Sequence, residues 1–394
     1  MTLALEGIKV LDLCRGYPPA YAAMSLADFG ADVIKVDPVG FVSPSVLQMQ
    51  TTEEKLAAYR AQDRNKRSIK INLRSEQGRG VVYRLAKKAD VLIENSRPGT
   101  MEHLGIGYEA LKDINPKIIY CSVSAYGQDG PYRDLVGHDA NLIAVAGLLS
   151  LIGPKDGPPT IPSNFLADMA GAGLCSLIGI LIALLARGKT GRGQFVDISY
   201  TDGAFSLLSF EVAMHFLIGQ VRRRGETFQT GSEPCASVYK TKDGEYVVIF
   251  FMEPQFWANF CRSIGREDMI ARQHPQNDKE RQEMFTFLRE LFLTKTRDEW
   301  WEWAKDKEVM FGPVHYLEEA LVDPQLLHRQ MVLELDHPTL GKVVQVGSPF
   351  KLSDTPPRFR SFGPIPGQHT DEILQGLGYS EQQIEELKKG SDVE

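Results

Sequence analysis

The first forty residues alternate between two hydrophobic periods, and this alternation narrows the fold more than anything else in the chain. Residues 8–13 form a short apolar run, 17–29 carry helix-forming Ala and Leu, and 32–36 return to a β-rich run. Strand, helix and strand in that order predict a right-handed βαβ unit, because parallel strands need a crossover. The alternation continues through a strand at 68–73, a helix near 78–88, a strand at 90–94, a helix near 108–114 and a strand at 117–123. Such a series implies an α/β fold built on an open, mostly parallel sheet with helices on both faces. Residues 124–138, a loop rich in Gly and polar side chains, follow the last of these strands; ligands of such sheets sit beyond the carboxyl ends of the strands, so this loop is where chemistry is expected.

The opening unit ends in Asp37, about where a dinucleotide enzyme keeps its ribose-binding acid. Its first turn, Arg15-Gly16-Tyr17-Pro18-Pro19, contains no GxGxxG. Without that glycine cradle a pyrophosphate has no seat, and NAD is excluded. From about residue 228 the pattern changes. Residues 236–251 are two β runs around Lys242-Asp243-Gly244, a hairpin signal, and helical stretches follow near 254–264, 278–293 and 296–307. A chain of 394 residues is too long for one comfortable core. The expected division is a large α/β domain over 1–225, a smaller α+β domain over 226–329, and a return to the large domain over 330–394.

A net charge of −7 and the lack of a Lys/Arg block argue against a nucleic-acid partner and for a small-molecule substrate. Cys14, Cys121, Cys175, Cys235 and Cys261 are scattered, with no zinc spacing, and read as reduced thiols of a cytoplasmic protein. The start MTLALEGIKVLDL lacks the basic and apolar regions of a signal peptide. Residues 169–186 are uncharged and long enough to span a bilayer. Ala170, Gly171, Ala172, Gly173, Ser176 and Gly179 give this segment a small-residue face, and it stands alone in an otherwise polar chain. A helix buried on all sides of a large core is the expectation, with no membrane partner.

Three stretches carry candidate chemistry: Gly137-His138-Asp139, Ala167-Asp168-Met169-Ala170-Gly171, and Met252-Glu253-Pro254-Gln255-Phe256. Each has a plain structural reading on its own. His138 can cap a helix, Asp168 can be the N-cap of the apolar helix, and Glu253 can complement a helix dipole.

Taken with Asp12-Leu13-Cys14-Arg15, the run from Leu26 to Val36, Asn65-Lys66-Arg67-Ser68, Arg97-Pro98-Gly99, the run from Gly127 to Tyr132 and the run from Gly191 to Asp197, they form a collinear set. The chain resembles the class III CoA-transferase superfamily over residues 5–390. The resemblance implies a Rossmann-like large domain, a small domain on long linkers, and two chains interlocked as a dimer, either a homodimer or a hetero-oligomer with a related subunit. It implies an acyl-CoA substrate, with CoA entering as part of that substrate and no permanently bound cofactor or metal. The CoA-binding positions it implies are Arg15, Lys35, Lys66, Arg97 and Asp139. His103 stands where some members carry a second Arg after the Arg-Pro-Gly motif.

Two reactions share this scaffold. In the transferases, the resemblance implies that the residue matching Asp168 attacks the acyl-CoA thioester and carries the acyl group as a mixed anhydride. In the 2-methylacyl-CoA racemases, the matching residues act as acid/base groups. There a His matches His138, and a Glu-Pro-Gln segment matches Glu253. This chain is more similar to the racemases, which makes His138, Asp168 and Glu253 the expected catalytic set and an α-carbon epimerase the expected enzyme. Class III transfer of CoA between carboxylic acids is the alternative. Inversion beside a thioester carbonyl needs a proton removed from one face and another delivered to the opposite face, hence two groups. Glu253 would then steady the imidazolium of His138.

Overall fold

The computed structural model describes residues 2–42, 45, 48–163, 165–219 and 221–394. They form two compact units. Unit 1 comprises the residues up to Ala146, Pro162–Leu208 and Pro324–Glu394, and unit 2 comprises Gly147–Ile161 and Ser209–Asp323. Compared with the boundaries expected near 225 and 330, the edges fall after Leu208 and Asp323, and the excursion 147–161 lies with unit 2.

Unit 1 is built on β1 (Lys9–Asp12), β2 (Asp32–Asp37), β3 (Lys66–Lys70), β4 (Val91–Glu94), β5 (Ile119–Ser124) and β6 (Phe195–Ser199). The strands lie in the order β3-β2-β1-β4-β5-β6, and every neighbouring pair is parallel. The order reverses between β1 and β4, which opens a crevice beyond their carboxyl ends. Every residue of β4 and β5 is buried, as befits strands covered on both faces. One face packs Val81, Val82 and Leu85 with Ile373, Leu374 and Leu387. The other packs Ala22, Ala23 and Leu26 with Leu177, Ile180 and Ala183.

Local chemistry starts and stops these elements. Helix α1 (Pro18–Asp28) opens on two prolines, whose missing N–H groups would lack partners at a helix start anyway. Helix α2 (Glu76–Lys88) is capped by Ser75, whose hydroxyl accepts from the Gly78 amide at 3.0 Å, and ends on Lys87 and Lys88 against the dipole. Strand β3 begins two residues before the apolar run expected at 68–73. Its first residue, Lys66, is buried because its ammonium is paired, which a hydrophobicity pattern cannot register. Strand β6 escaped the pattern as well, since it is short, only partly buried and carries Asp197.

Helix α3 (Asp139–Val145) precedes α4 (Phe165–Thr190), and α5 (Tyr200–Ser206) follows β6. The first ten residues of α4, through Leu174, are wound as a π-helix, a form found often at functional sites. Its glycines permit close crossings. A Cβ on Gly171 would lie 2.8 Å from the Tyr200 carbonyl oxygen, and one on Gly203 would lie 2.4 Å from Gly171 Cα. The helix is apolar enough to cross a membrane by composition, with a mean hydropathy of 2.3. It is not covered on all sides as expected. Leu177, Ile180 and Ala183 pack on the sheet while Ile178, Ile182 and Leu185 are exposed, because only one side of α4 faces the strands.

In unit 2 an antiparallel sheet joins residues 236–240, 246–250 and 311–313, and the hairpin turns on Gly244 at φ +90°. Its core is aromatic, with Trp257, Phe260, Phe292 and Trp300 buried together. Helix α6 (Pro254–Ser263) begins directly after Glu253.

Candidate active site

The loops leaving β1, β4 and β5 converge where the strand order reverses. Arg15, Tyr17, Asn95, Ser96, Arg97, Leu135, Val136, His138, Asp168 and Tyr200 line a cavity there of about 680 Å³. It brings together His138, Asp168, Arg15 and Arg97, which the sequence places in four separate motifs.

His138 stands immediately before α3 with an extended backbone, φ −127°, and its amide donates to Asn141 Oδ1 at 2.8 Å. The residue ahead of it must be small. A Cβ on Gly137 would lie 2.3 Å from Leu142 Cδ2, so a side chain there would have to displace that buried leucine. The His138 side chain is exposed, whereas Asp168 is buried at 9% exposure within the π-wound turn.

Asp139 ties the two motifs together. Its Oδ2 accepts from the Asp168 amide at 3.0 Å, while Oδ1 is buried without a hydrogen-bond partner. The resemblance implied a CoA-binding role for Asp139. The residue is buried behind the lining residues and anchors the backbone of Asp168.

Lys35 and Lys66 are corrected more sharply. Lys66 Nζ lies 2.7 Å from Asp12 Oδ2 and 3.3 Å from Asp63 Oδ1, and Lys35 Nζ lies 3.6 Å from Asp63 and 3.9 Å from Asp37. Burial opposes ionisation of Asp63, but Lys35, Lys66 and Arg60 outweigh it and hold this carboxyl well below the ordinary range. Both ammonium groups are committed inside the protein, so neither is available to a phosphate. Arg15 and Arg97, both exposed, remain.

Two further hollows extend the cavity along the crevice. One of about 290 Å³ shares Arg15, Asn95, Ser96 and Arg97 with it. A larger one of about 1150 Å³ shares Arg15 and adds Arg74, Arg79 and His103. Sequence reasoning passed over Arg74 and Arg79. The signal for both was their place after β3, Arg74 in its terminal loop and Arg79 in the helix that follows. Tyr200 was also missed. Burial pushes its phenol well above the ordinary tyrosine range, the Asp168 charge adds to that push, and the Asn95 side chain opposes it. Among the described residues, no group of three or more His, Cys, Asp and Glu is placed to hold a metal ion. Glu253, exposed ahead of α6, belongs to unit 2.

The family model for CoA-transferase family III matches residues 5–370. The chain belongs to CoA-transferase family III. Human succinyl-CoA:glutarate CoA-transferase is 34% identical, across 97% of this chain and 88% of that protein. Human alpha-methylacyl-CoA racemase is 33% identical, across 100% of this chain and 98% of that protein. A formyl-CoA:oxalate CoA-transferase of Escherichia coli is 31% identical, across 99% of each. Among solved structures, a CAIB/BAIF family protein from Brucella suis superposes with a TM-score of 0.81 at 28% identity, over 96% of this chain and all of that one. This family III member is an acyl-CoA enzyme, and its relatives divide between racemases and transferases at nearly equal identity.

Proposed function

We propose that this family III enzyme epimerises a 2-methylacyl-CoA at its α-carbon by two-base proton transfer. The observation that carries the reading is that His138 and Asp168 line one cavity at the switch point of the sheet. One group removes the α-proton, and the C–H electron pair moves into the thioester carbonyl to give an enolate. The other group delivers a proton to the opposite face, and the enolate collapses to the thioester. Imidazole suits one role because its ordinary pKa lies near neutrality, and a carboxyl group kept partly from water suits the other. The Asp139 and Ala140 amides at the start of α3 are the donors suited to the enolate oxygen. No step calls on a metal or a permanent cofactor.

Arg15 and Arg97 beside the cavity, with Arg74 and Arg79 further along, supply cations for the phosphates of CoA. The assignment of Glu253 as support for the imidazolium rests on its Glu-Pro-Gln motif alone. The exposed stripe Ile178, Ile182 and Leu185, and the exposed Phe216 and Leu217 in unit 2, are surfaces that a second copy would cover.

The identity to two transferases favours a second reading, in which Asp168 attacks the thioester carbonyl, CoA thiolate leaves and a mixed anhydride remains. Trapping separates the two. Incubation with acyl-CoA and then hydroxylamine leaves Asp168 unmodified under the racemase reading, whereas a hydroxamate at Asp168 by mass spectrometry would establish the transferase.

A further inference from the structure

One buried acid next in sequence to the cavity's lining residues has no part in the proton transfers. Glu94 closes β4 at 3% exposure, immediately before the lining residues Asn95, Ser96 and Arg97. One carboxylate oxygen, Oε2, accepts from the Ser96 amide at 2.7 Å, and the other accepts a short hydrogen bond from the Ser122 hydroxyl of β5. Ser122 Oγ in turn accepts from Gln128 Nε2 at 2.9 Å. The Gln128 amide donates to Asp197 Oδ2 at 3.0 Å, and its carbonyl accepts from Arg133 Nε at 2.9 Å. Asn95 clasps the loop after β1, accepting from the Arg15 amide and donating to the Arg15 carbonyl, both at 2.8 Å. Through Ser96 and the Ser122–Gln128 pair, one buried carboxylate thus joins the loops at 95–98 and 125–138, and Asn95 ties the loop at 15–18 to the first of them.

We propose that Glu94 is a positioning residue: by holding the Ser96 amide and the Ser122–Gln128 pair together, it sets the two loops that receive the CoA thioester. The proposal rests on the reading of this cavity as the acyl-CoA site. Facing the carboxyl group are Ser122 from β5, Ser96 from its own loop and Glu102 from the 100–103 helix. Its charge also reaches Cys14 after β1 and Tyr120 and Cys121 of β5. Burial pushes Glu94 up to about 7, against the hydrogen bonds from Ser122 and from the backbone and side chain of Ser96, which favour its charge. Only the ionised form can accept from both donors. A protonated carboxyl either abandons the Ser96 amide or reverses the Ser122 bond.

The isosteric Glu94→Gln variant tests this, since an amide offers one acceptor and must present NH₂ to one of the two donors. Calorimetric titration with CoA at pH 8 should show binding about tenfold weaker than wild type, the scale of one charge-assisted bond. Glu94→Asp, which keeps the charge, should fall between them. As the pH drops from 8 to 6 the wild-type carboxyl takes up a proton, so the gap between wild type and Glu94→Gln should close. A stability measurement keeps the role separate from folding. Between the ordinary glutamate range and about 7 the folded wild type holds a proton that the unfolded chain has released, so its stability falls as pH climbs through that window. The melting temperature of Glu94→Gln relative to wild type should therefore rise from pH 5 to pH 8 while its CoA affinity is reduced. Equal CoA affinity of wild type and Glu94→Gln at pH 8, or a deficit that does not change with pH, would overturn the proposal. If wild type itself bound no CoA, the site assignment would fail and the proposal with it.

Discussion

Two groups of polar side chains flank the same six strands and do opposite work. Asp12, Lys35, Asp37, Asp63 and Lys66 are buried and paired with one another. Arg15, Arg97 and His138 are exposed around a cavity and stand beside Asp168. Asp12 and Arg15 belong to a single motif three residues apart, yet one is sealed in and the other faces the ligand space. Motif membership therefore does not tell a binding cation from a structural one; burial and pairing do.

The largest expected effect lies in the buried group. Lys66→Met leaves Asp12 charged and without its closest partner, and chemical denaturation should show a loss of about 3–5 kcal/mol. Arg97→Ala in the exposed group should leave stability within about 0.5 kcal/mol of wild type and weaken CoA binding by about 1.5–3 kcal/mol. If the two variants behaved alike in both assays, the contrast between the groups would be lost. The buried group also carries an acid signature. The stabilisation from Asp63 is fully present above the ordinary aspartate pKa of about 3.9 and drains away as pH falls below it, because Lys35, Lys66 and Arg60 depress the folded value despite burial. Asp63→Asn should flatten the stability profile below pH 4.

A middle-sized effect sharpens the link between fold and site. Gly203→Ala places a methyl group 2.4 Å from Gly171 Cα, in the turn that carries Asp168. It should cost about 1–3 kcal/mol and lower turnover as well, since the π-wound turn has to shift. Thr296→Ala, which removes the cap of the 297–304 helix in unit 2, should cost about 1 kcal/mol and leave turnover unchanged.

The large fold was legible because β1, β2, β4 and β5 are apolar runs separated by helices, a pattern that a covered parallel sheet imposes on sequence. The failures have common physical causes. The first turn of β3 is held by a paired lysine, and β6 is a half-covered strand with an aspartate, so neither registers as hydrophobic. Within the site, His138 and Asp168 were visible as motif residues. The roles of Asp139, Glu94 and Tyr200 depend on contacts between segments far apart in the chain, which no local pattern encodes. The misjudged face of α4 has the same origin, since composition reports that a helix is apolar but not what covers it.

The account turns on whether His138 and Asp168 act as two bases on opposite faces of one carbon. The direct measurement is α-proton exchange in deuterated water, followed by NMR, for each enantiomer of a 2-methylacyl-CoA with no acceptor acid present. His138→Ala should suppress exchange from one enantiomer by about 10²–10⁴-fold and spare the other, and Asp168→Ala should show the reverse preference. Equal loss from both enantiomers in His138→Ala, or normal exchange in that variant while Asp168→Ala abolishes CoA transfer between acids, would contradict it.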